Sequence, residues 1–199
     1  MQQNYAASLK AYWRSHINPM NQQAAALKDQ AFSAYQSKNF KEAAQAFSEC
    51  IELFDEIKDT LMAAEMRNNL SVVLIELKKP EEALAVLKDT DQIFADANDK
   101  KRQAMALGNT AAALQALGKL PEALSSYEAS ADLFKETDEK EMRALTLKKI
   151  SDLQLKTGKQ FQALASLEAA YDQKDKKSVK EKVLKGFLGS LINKITHRS

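Results

Sequence analysis

The sequence predicts an all-α fold built from repeated helical hairpins, and two observations carry that prediction. The chain has 199 residues, of which only five are Gly and three are Pro. Barrels and sandwiches need many tight turns, so this scarcity favours long helices. The stretch KKPEEALAVL at 78–87 also returns as GKLPEALSSY at 118–127, forty residues later. A chain of this length can form one sizeable core or a short repeat array, and the period favours the array.

Side chains of similar size recur at this forty-residue spacing in five columns of the sequence. Small residues are needed where two helices cross closely, and large apolar residues fill the space beside the crossing. The columns therefore indicate four copies of one packing unit. They are Ala24, Ala64, Ala104 and Ala144; Ala43, Ala83, Ala123 and Ala163; Ala31, Ser71, Ala111 and Ser151; Phe47, Leu87, Tyr127 and Leu167; and Phe54, Phe94 and Phe134, a column that fails in the fourth copy at Lys174.

Each copy is expected to form two helices. In the third copy, KKRQAMALGNTAAALQALG carries apolar residues at helical spacing and stops at Gly118. Pro121 follows where the first turn of a second helix tolerates proline. Because only a few residues separate the two helices, they must form an antiparallel hairpin. No single hairpin buries both of its faces, so the copies must stack on one another.

The repeated units resemble tetratricopeptide repeats of the longer, roughly forty-residue variety. The pattern of Ala111, Ala123 and Tyr127 carries the resemblance, and ALGNTAAALQALGKLPEAL at 106–124 is the best match. Asn69 and Asn109 fit the asparagine of the family's first helix. The resemblance implies a right-handed superhelical solenoid with four repeats and an extra helix at each end. The expected division is 1–21 for the N-terminal helix; 22–58, 59–98, 99–138 and 139–173 for the repeats; and 174–199 for the C-terminal helix.

The sequence offers little that would support catalysis. His16 and His197 lie at opposite ends, and no Gly-rich phosphate loop or metal-ligand spacing is present in the sequence. Cys50 falls at an inward helical position that Thr90, Ser130 and Ala170 occupy in the other copies. We therefore interpret Cys50 as a small packing residue. We expect a protein without enzymatic activity, cofactor or metal.

The resemblance implies binding of a protein or peptide partner along the concave face, which the first helices of the repeats line. Lys28 and Asn69 would fit part of a clamp for a C-terminal carboxylate, but Phe32 stands where that clamp needs asparagine. We therefore expect a mixed groove for an extended or helical peptide. The alternative is that Phe32, Tyr35 and Ile75 pack against the N-terminal segment or a neighbouring helix. The expected groove residues are Lys28, Phe32, Tyr35, Asn68, Asn69, Val72, Ile75, Met105, Asn109, Gln115, Lys148 and Lys149.

The N-terminal segment is predicted to form an amphipathic helix outside the repeats. Tyr5, Leu9, Trp13 and Ile17 recur every four residues. Pro19 is expected to end this helix or to follow shortly after its end. The segment is interpreted as a cap over the first repeat, with a docking element as the alternative.

The C-terminal segment is basic and amphipathic. Residues 174–199 contain 8 Lys or Arg and 2 Asp or Glu, whereas the rest of the chain has 21 basic and 25 acidic residues. Such asymmetry suggests a negatively charged partner surface. The sequence leaves three roles open for this helix: a terminal cap, a dimer surface or a contact with an anionic membrane. The residues that would make a membrane or dimer contact are Lys180, Lys182, Lys185, Phe187, Leu188, Leu191 and Ile192.

The sequence therefore favours a scaffold or adaptor, expected in the cytoplasm. It contains no apolar run of the roughly 18–20 residues that a membrane span needs, and the single cysteine weakly favours a reducing compartment. The alternative is a peripheral membrane protein that its basic C-terminal helix anchors. Nucleic acid is not expected as a partner, because aromatic residues are not interleaved with the C-terminal lysines.

Overall fold

A computed structural model describes the backbone of residues 2–171 and the side chains of residues 19–170. The all-α prediction is confirmed, because this described part is helical throughout and contains no strand. The helices are α1 (Gln2–Gln36), α2 (Phe40–Glu56), α3 (Thr60–Glu76), α4 (Pro80–Leu87), α5 (Thr90–Asp96), α6 (Lys100–Ala116), α7 (Leu120–Glu136), α8 (Lys140–Lys156) and α9 (Gln160–Tyr171). We call α1, α3, α6 and α8 the first helices of the four copies, and we call α2, α4 with α5, α7 and α9 the second helices.

Turns that follow the helices, both within a hairpin and between hairpins, repeat with a period of twenty residues. At the end of α3, the Lys79 N–H donates to the Leu74 carbonyl at 2.9 Å and the Lys78 N–H donates to the Ile75 carbonyl at 3.0 Å. This pair of bonds is the Schellman motif, which requires a left-handed residue just after the helix. The motif recurs at seven turns, which explains the constant register. The left-handed residues are Lys38, Lys58, Lys78, Asn98, Gly118, Asp138 and Gly158.

The described residues form two compact units, and the division between them falls between Arg102 and Gln103. In the first unit, α2 packs between α1 and α3, and α3 packs against α4 and α5. Ala24, Ala43 and Ala64 have no exposed surface, which agrees with a position of the small columns at these crossings. Phe47 and Phe94 are also fully buried and fill the adjoining space. Small and large residues therefore hold the positions that the forty-residue period predicts.

In the second unit, α8 packs against α7 and α9. One core cluster joins Ala111 of α6, Ala123 and Tyr127 of α7, and Ile150 and Leu153 of α8. These residues belong to three consecutive helices, so the cluster ties the third copy to the fourth. The predicted columns thus supply the core of this unit as well.

In the column of Cys50, Thr90, Ser130 and Ala170, two polar side chains bond to the backbone of another helix. Cys50 Sγ donates to the Ala24 carbonyl at 3.4 Å, and Ser130 Oγ donates to the Ala104 carbonyl at 2.7 Å. Both pairs are 26 residues apart and buried. At these two positions the side chain serves packing and hydrogen bonding at the same time, so the buried polar group is satisfied.

The prediction that Pro19 ends the N-terminal helix is wrong. Helix α1 runs from Gln2 to Gln36 with Pro19 inside it. Proline removes one backbone hydrogen bond and strains the turn before it. The sequence on both sides favours helix, so the chain continues helical through this local cost.

The prediction of two helices in every copy is wrong for the second copy. Its second helix is divided into α4 and α5, with Lys88 and Asp89 between them. Asp89 takes the left-handed conformation, with φ 60° and ψ 4°. The equivalent helices α2 and α7 are continuous over 17 residues.

Candidate functional site

Three predicted groove residues lie along one side of α1, at Lys28, Phe32 and Tyr35. The ring of Phe32 meets the Phe47 ring edge to face, with centroids 5.4 Å apart and an interplanar angle of 90°. Tyr35 packs on Phe40 with centroids 5.9 Å apart. Both aromatic residues therefore contribute to packing between α1 and α2, as the alternative interpretation expected. Phe32 nevertheless keeps 37% of its surface exposed.

The corresponding residues of α3 differ in their exposure. Asn69, Val72 and Ile75 are half-buried and reach the surface. Asn68 is only 3% exposed, so little of it is available to a partner. Since α1 and α3 both pack against α2, this helix positions the two helices that carry the predicted groove residues of the first unit.

On α6, Met105 and Asn109 are half-buried, whereas Gln115 has a structural contact. The Tyr127 hydroxyl of α7 donates to Gln115 Oε1 at 3.3 Å. Burial raises the pKa of Tyr127 to about 12, further above the already basic ordinary value of tyrosine, and the protonated hydroxyl is the donor. Gln115 therefore braces the α6–α7 hairpin.

The predicted residues on α8 are cationic. Lys149 is exposed and Lys148 is half-buried. Leu145 lies four residues before Lys149 on the same side of the helix and is 57% exposed. This side of α8 offers a cation and an apolar side chain together.

An ion-pair cluster at the start of α6 was not predicted from the sequence. The Arg102 guanidinium donates to Glu65 of α3 at 3.1 Å and to Asp99 at 2.7 Å, and it lies 5.0 Å from the centroid of the Phe94 ring. The Arg102 backbone N–H also donates to Asp99, which caps the helix. Burial alone would raise the pKa of Asp99, but these bonds from Arg102 hold that pKa below its ordinary value. Glu65 and Arg102 are 37 residues apart, so no short sequence pattern predicts their pairing.

Cys50 has the environment of a packing residue. Burial raises the pKa of the Cys50 thiol to about 11, and its Sγ bonds to the Ala24 carbonyl. The thiolate is the reactive form of cysteine, and it is scarce at neutral pH when the pKa is so high. This chemistry agrees with the interpretation of Cys50 as a small core residue.

A cavity of about 610 Å³ lies on the second-helix side of the first unit. Leu70, Leu74 and Leu77 of α3 line it, together with Ala85 and Val86 at the end of α4. The other lining residues, which are mostly polar, are Lys41, Ala44, Gln45, Ser48, Lys79 and Glu82. The sequence analysis did not predict this cavity, because its walls come from three helices that share no motif.

Residues 19–170 contain no group of three or more His, Cys, Asp or Glu side chains that could hold a metal ion. Among the helices described, none is both long and apolar enough to cross a membrane. The C-terminal residues predicted for a membrane or dimer contact lie outside the described residues. The side chains of Tyr5, Leu9, Trp13 and Ile17 do too.

Comparison with known proteins identifies the class as a tetratricopeptide-like helical repeat protein. TPR-like repeats of a kinesin light chain from Podosopora anserina match with a TM-score of 0.60 and 14% identity, covering 92% of this chain and 99% of that one. BtubC (BKLC) from P. vanneervenii matches with a TM-score of 0.64 and 13% identity, covering 97% and 88%. A MamA structure matches with a TM-score of 0.56 and 14% identity, covering 90% and 97%. At such identities the structures show the fold alone.

The family model for the soluble NSF attachment protein, SNAP, matches residues 7–197. The chain therefore belongs to this TPR-like family. No curated protein matches the sequence.

Proposed function

We propose that this protein is a non-catalytic adaptor that binds a protein or peptide through the first-helix surface of its repeats. The observation that carries the proposal is Phe32, a large apolar residue that keeps 37% of its surface exposed on α1. Val72 and Ile75 of α3 add aliphatic surface at the equivalent positions of the next repeat. Such a mixed aromatic and aliphatic surface suits an extended or helical peptide. The family description, an attachment protein, agrees with an adaptor.

The test is site-specific photo-crosslinking with full-length protein. One variant carries p-benzoylphenylalanine in place of Phe32. Its matched control carries the same residue in place of Phe161, which is 85% exposed at the start of the second helix α9. We expect partner adducts from position 32 and none from position 161. Adducts from position 161 alone would refute the first-helix surface.

A second pair of variants separates binding from folding. Val72→Asp with Ile75→Asp should abolish the adduct from position 32 while the circular dichroism spectrum stays helical. Ala85→Asp, an exposed change on the second-helix side, should leave the adduct unchanged. If the double variant loses its helical spectrum, these two residues belong to the core and the surface assignment fails.

As a second candidate function, we propose that the basic segment 174–199 attaches the adaptor to an anionic membrane surface. The supporting observation is the 8 basic against 2 acidic residues in this segment. Each lysine near an anionic leaflet contributes about 1 kcal/mol to attachment. Wild-type protein should then sediment with anionic vesicles at low salt, and Lys180→Glu with Lys182→Glu and Lys185→Glu should remain in the supernatant. Wild-type protein that stays in the supernatant with anionic vesicles would exclude this function.

A further inference from the structure

Lys88 and Asp89 interrupt a helix that is continuous in the equivalent position of two other copies. Lys88 is extended, with φ −52° and ψ 130°, and Asp89 is left-handed. No residue has been inserted, because Ala83 and Phe94 on either side keep the forty-residue register and are buried like their equivalents. A continuous helix from 80 to 96 would therefore have the same length, 17 residues, as α2 and α7.

The interruption leaves a buried hydroxyl without a partner. Thr90 has no exposed surface, and its Oγ1 makes no hydrogen bond. In the same column, Cys50 and Ser130 each donate to the carbonyl 26 residues earlier. The equivalent acceptor for Thr90 is the carbonyl of Ala64. An unpaired buried hydroxyl destabilises the state that contains it, so a state with this bond would relieve the cost.

The sequence of the segment explains why the broken state forms. Asp91 occupies the column of Ile51 and Ala131, and Ala131 is 4% exposed in the core of its hairpin. A continuous helix would carry the Asp91 carboxylate toward this apolar position, where desolvation disfavours a charge. Asp and Thr side chains also form local hydrogen bonds to the backbone that compete with helix. Each state therefore has its own destabilising contribution. The unpaired Thr90 hydroxyl destabilises the broken helix, and desolvation of the Asp91 carboxylate destabilises the continuous helix.

We propose that Lys88–Asp91 is a two-state hinge. One state is the broken helix of this structure, and the other is a continuous helix in which the Thr90 hydroxyl donates to the Ala64 carbonyl. Ala85 and Val86 line the 610 Å³ cavity just before the hinge, so the transition changes the wall of that cavity. A ligand that binds the cavity better in one state shifts the equilibrium between the two.

The first test follows the backbone of the full chain by NMR. In the wild type, amides 86–92 should show microsecond-to-millisecond exchange with a minor state populated at about 0.1–10%, and amides 126–132 of α7 should show none. Asp91→Ala removes the charge that opposes the continuous helix, so the Cα shifts of Lys88 and Asp89 should become helical. Asp132→Ala, an exposed change on α7, should leave both residues non-helical.

The second test uses the sign of a stability change. Thr90→Val keeps the shape of the side chain and removes its hydroxyl. In the wild type, where that hydroxyl is unpaired, the change should raise the Tm. In the Asp91→Ala background, where the hydroxyl should bond to Ala64, the same change should lower it. A Tm change of the same sign in both backgrounds would overturn the hinge. The hinge would also be overturned if the Cα shifts of Lys88 and Asp89 stay non-helical in Asp91→Ala and the wild type shows no exchange. If Asp91→Ala does not fold, the exchange measurement on the wild type decides.

Discussion

Exchanging Lys78 for glycine should stabilise the protein. Lys78 holds the left-handed position of the turn after α3, with φ 62°, and the equivalent turns of the third and fourth copies use Gly118 and Gly158. An L-residue in this conformation brings its Cβ close to the following carbonyl oxygen, and glycine has no Cβ. A Cβ built at Gly118 or Gly158 would meet no heavy atom within 4 Å, so crowding by neighbours does not enter the comparison at these turns. The difference between lysine and glycine at such a turn is therefore one of backbone conformation.

The magnitude follows from two opposing contributions. The left-handed conformation costs a non-glycine residue about 1–2 kcal/mol. Glycine loses more backbone entropy on folding, which offsets about 0.5–1 kcal/mol of that gain. Lys78→Gly should thus raise the free energy of unfolding by about 0.5–1 kcal/mol. For a chain of this size, that corresponds to a rise in Tm of about 1–4 °C.

Thermal unfolding followed by circular dichroism measures the effect, with Lys79→Gly as the matched control. Lys79 is the adjacent residue of the same turn, but its φ is −119°, so it carries no left-handed strain. Its ion pair with Glu82 is largely exposed and contributes little. The control should therefore show no gain in Tm. If Lys79→Gly stabilises as much as Lys78→Gly, the strain argument is wrong.

Two further predictions test the core and the ion-pair cluster. Ala123→Leu should lower the free energy of unfolding by about 1–3 kcal/mol, because Ala123 is fully buried at a helix crossing. The control Ser125→Leu, on the exposed side of α7, should change it by less than about 0.5 kcal/mol. Equal Tm values for the two variants would contradict the repeat register. The pKa of Asp99 is lowered in the folded state, so its contribution is present above the ordinary value of 3.8 and is lost as pH falls below it. In urea unfolding, the wild type should therefore lose more stability between pH 5 and pH 3 than Asp99→Asn does, and equal losses would contradict the role of Arg102.

The sequence predicts the packing columns well because their physical cause is local size at a fixed spacing. Ala43, Ala83, Ala123 and Ala163 are all buried. A close helix crossing accepts only small side chains, and the crossing recurs once per copy. The forty-residue period therefore predicts which positions are buried. The turn at Gly118 is predicted for the same reason, since glycine marks a left-handed helix end.

The turns of the first two copies show the limit of this reasoning. Lys38, Lys58 and Lys78 occupy left-handed positions that residue type alone does not predict. The same pair of backbone hydrogen bonds closes each of these turns, so the left-handed conformation is adopted by lysine as it is by glycine. The broken second helix of the second copy is a further case. There the forty-residue register is intact, and only the competition between Thr90 and Asp91 decides the local backbone.

The sequence predicts the helix that carries each candidate residue but not the partner of its side chain. Spacing along a helix places Tyr35 and Gln115 on first helices, but it does not show that Tyr35 packs on Phe40 or that Gln115 accepts a bond from Tyr127. Residues whose side chains already serve the hairpin have less to offer a partner, because binding would have to break those contacts first. Among the predicted groove residues, Phe32 on α1 and Lys149 on α8 keep the most accessible surface by this criterion. One is aromatic and the other cationic, so the contacts within the fold leave different chemistry accessible at these two predicted positions.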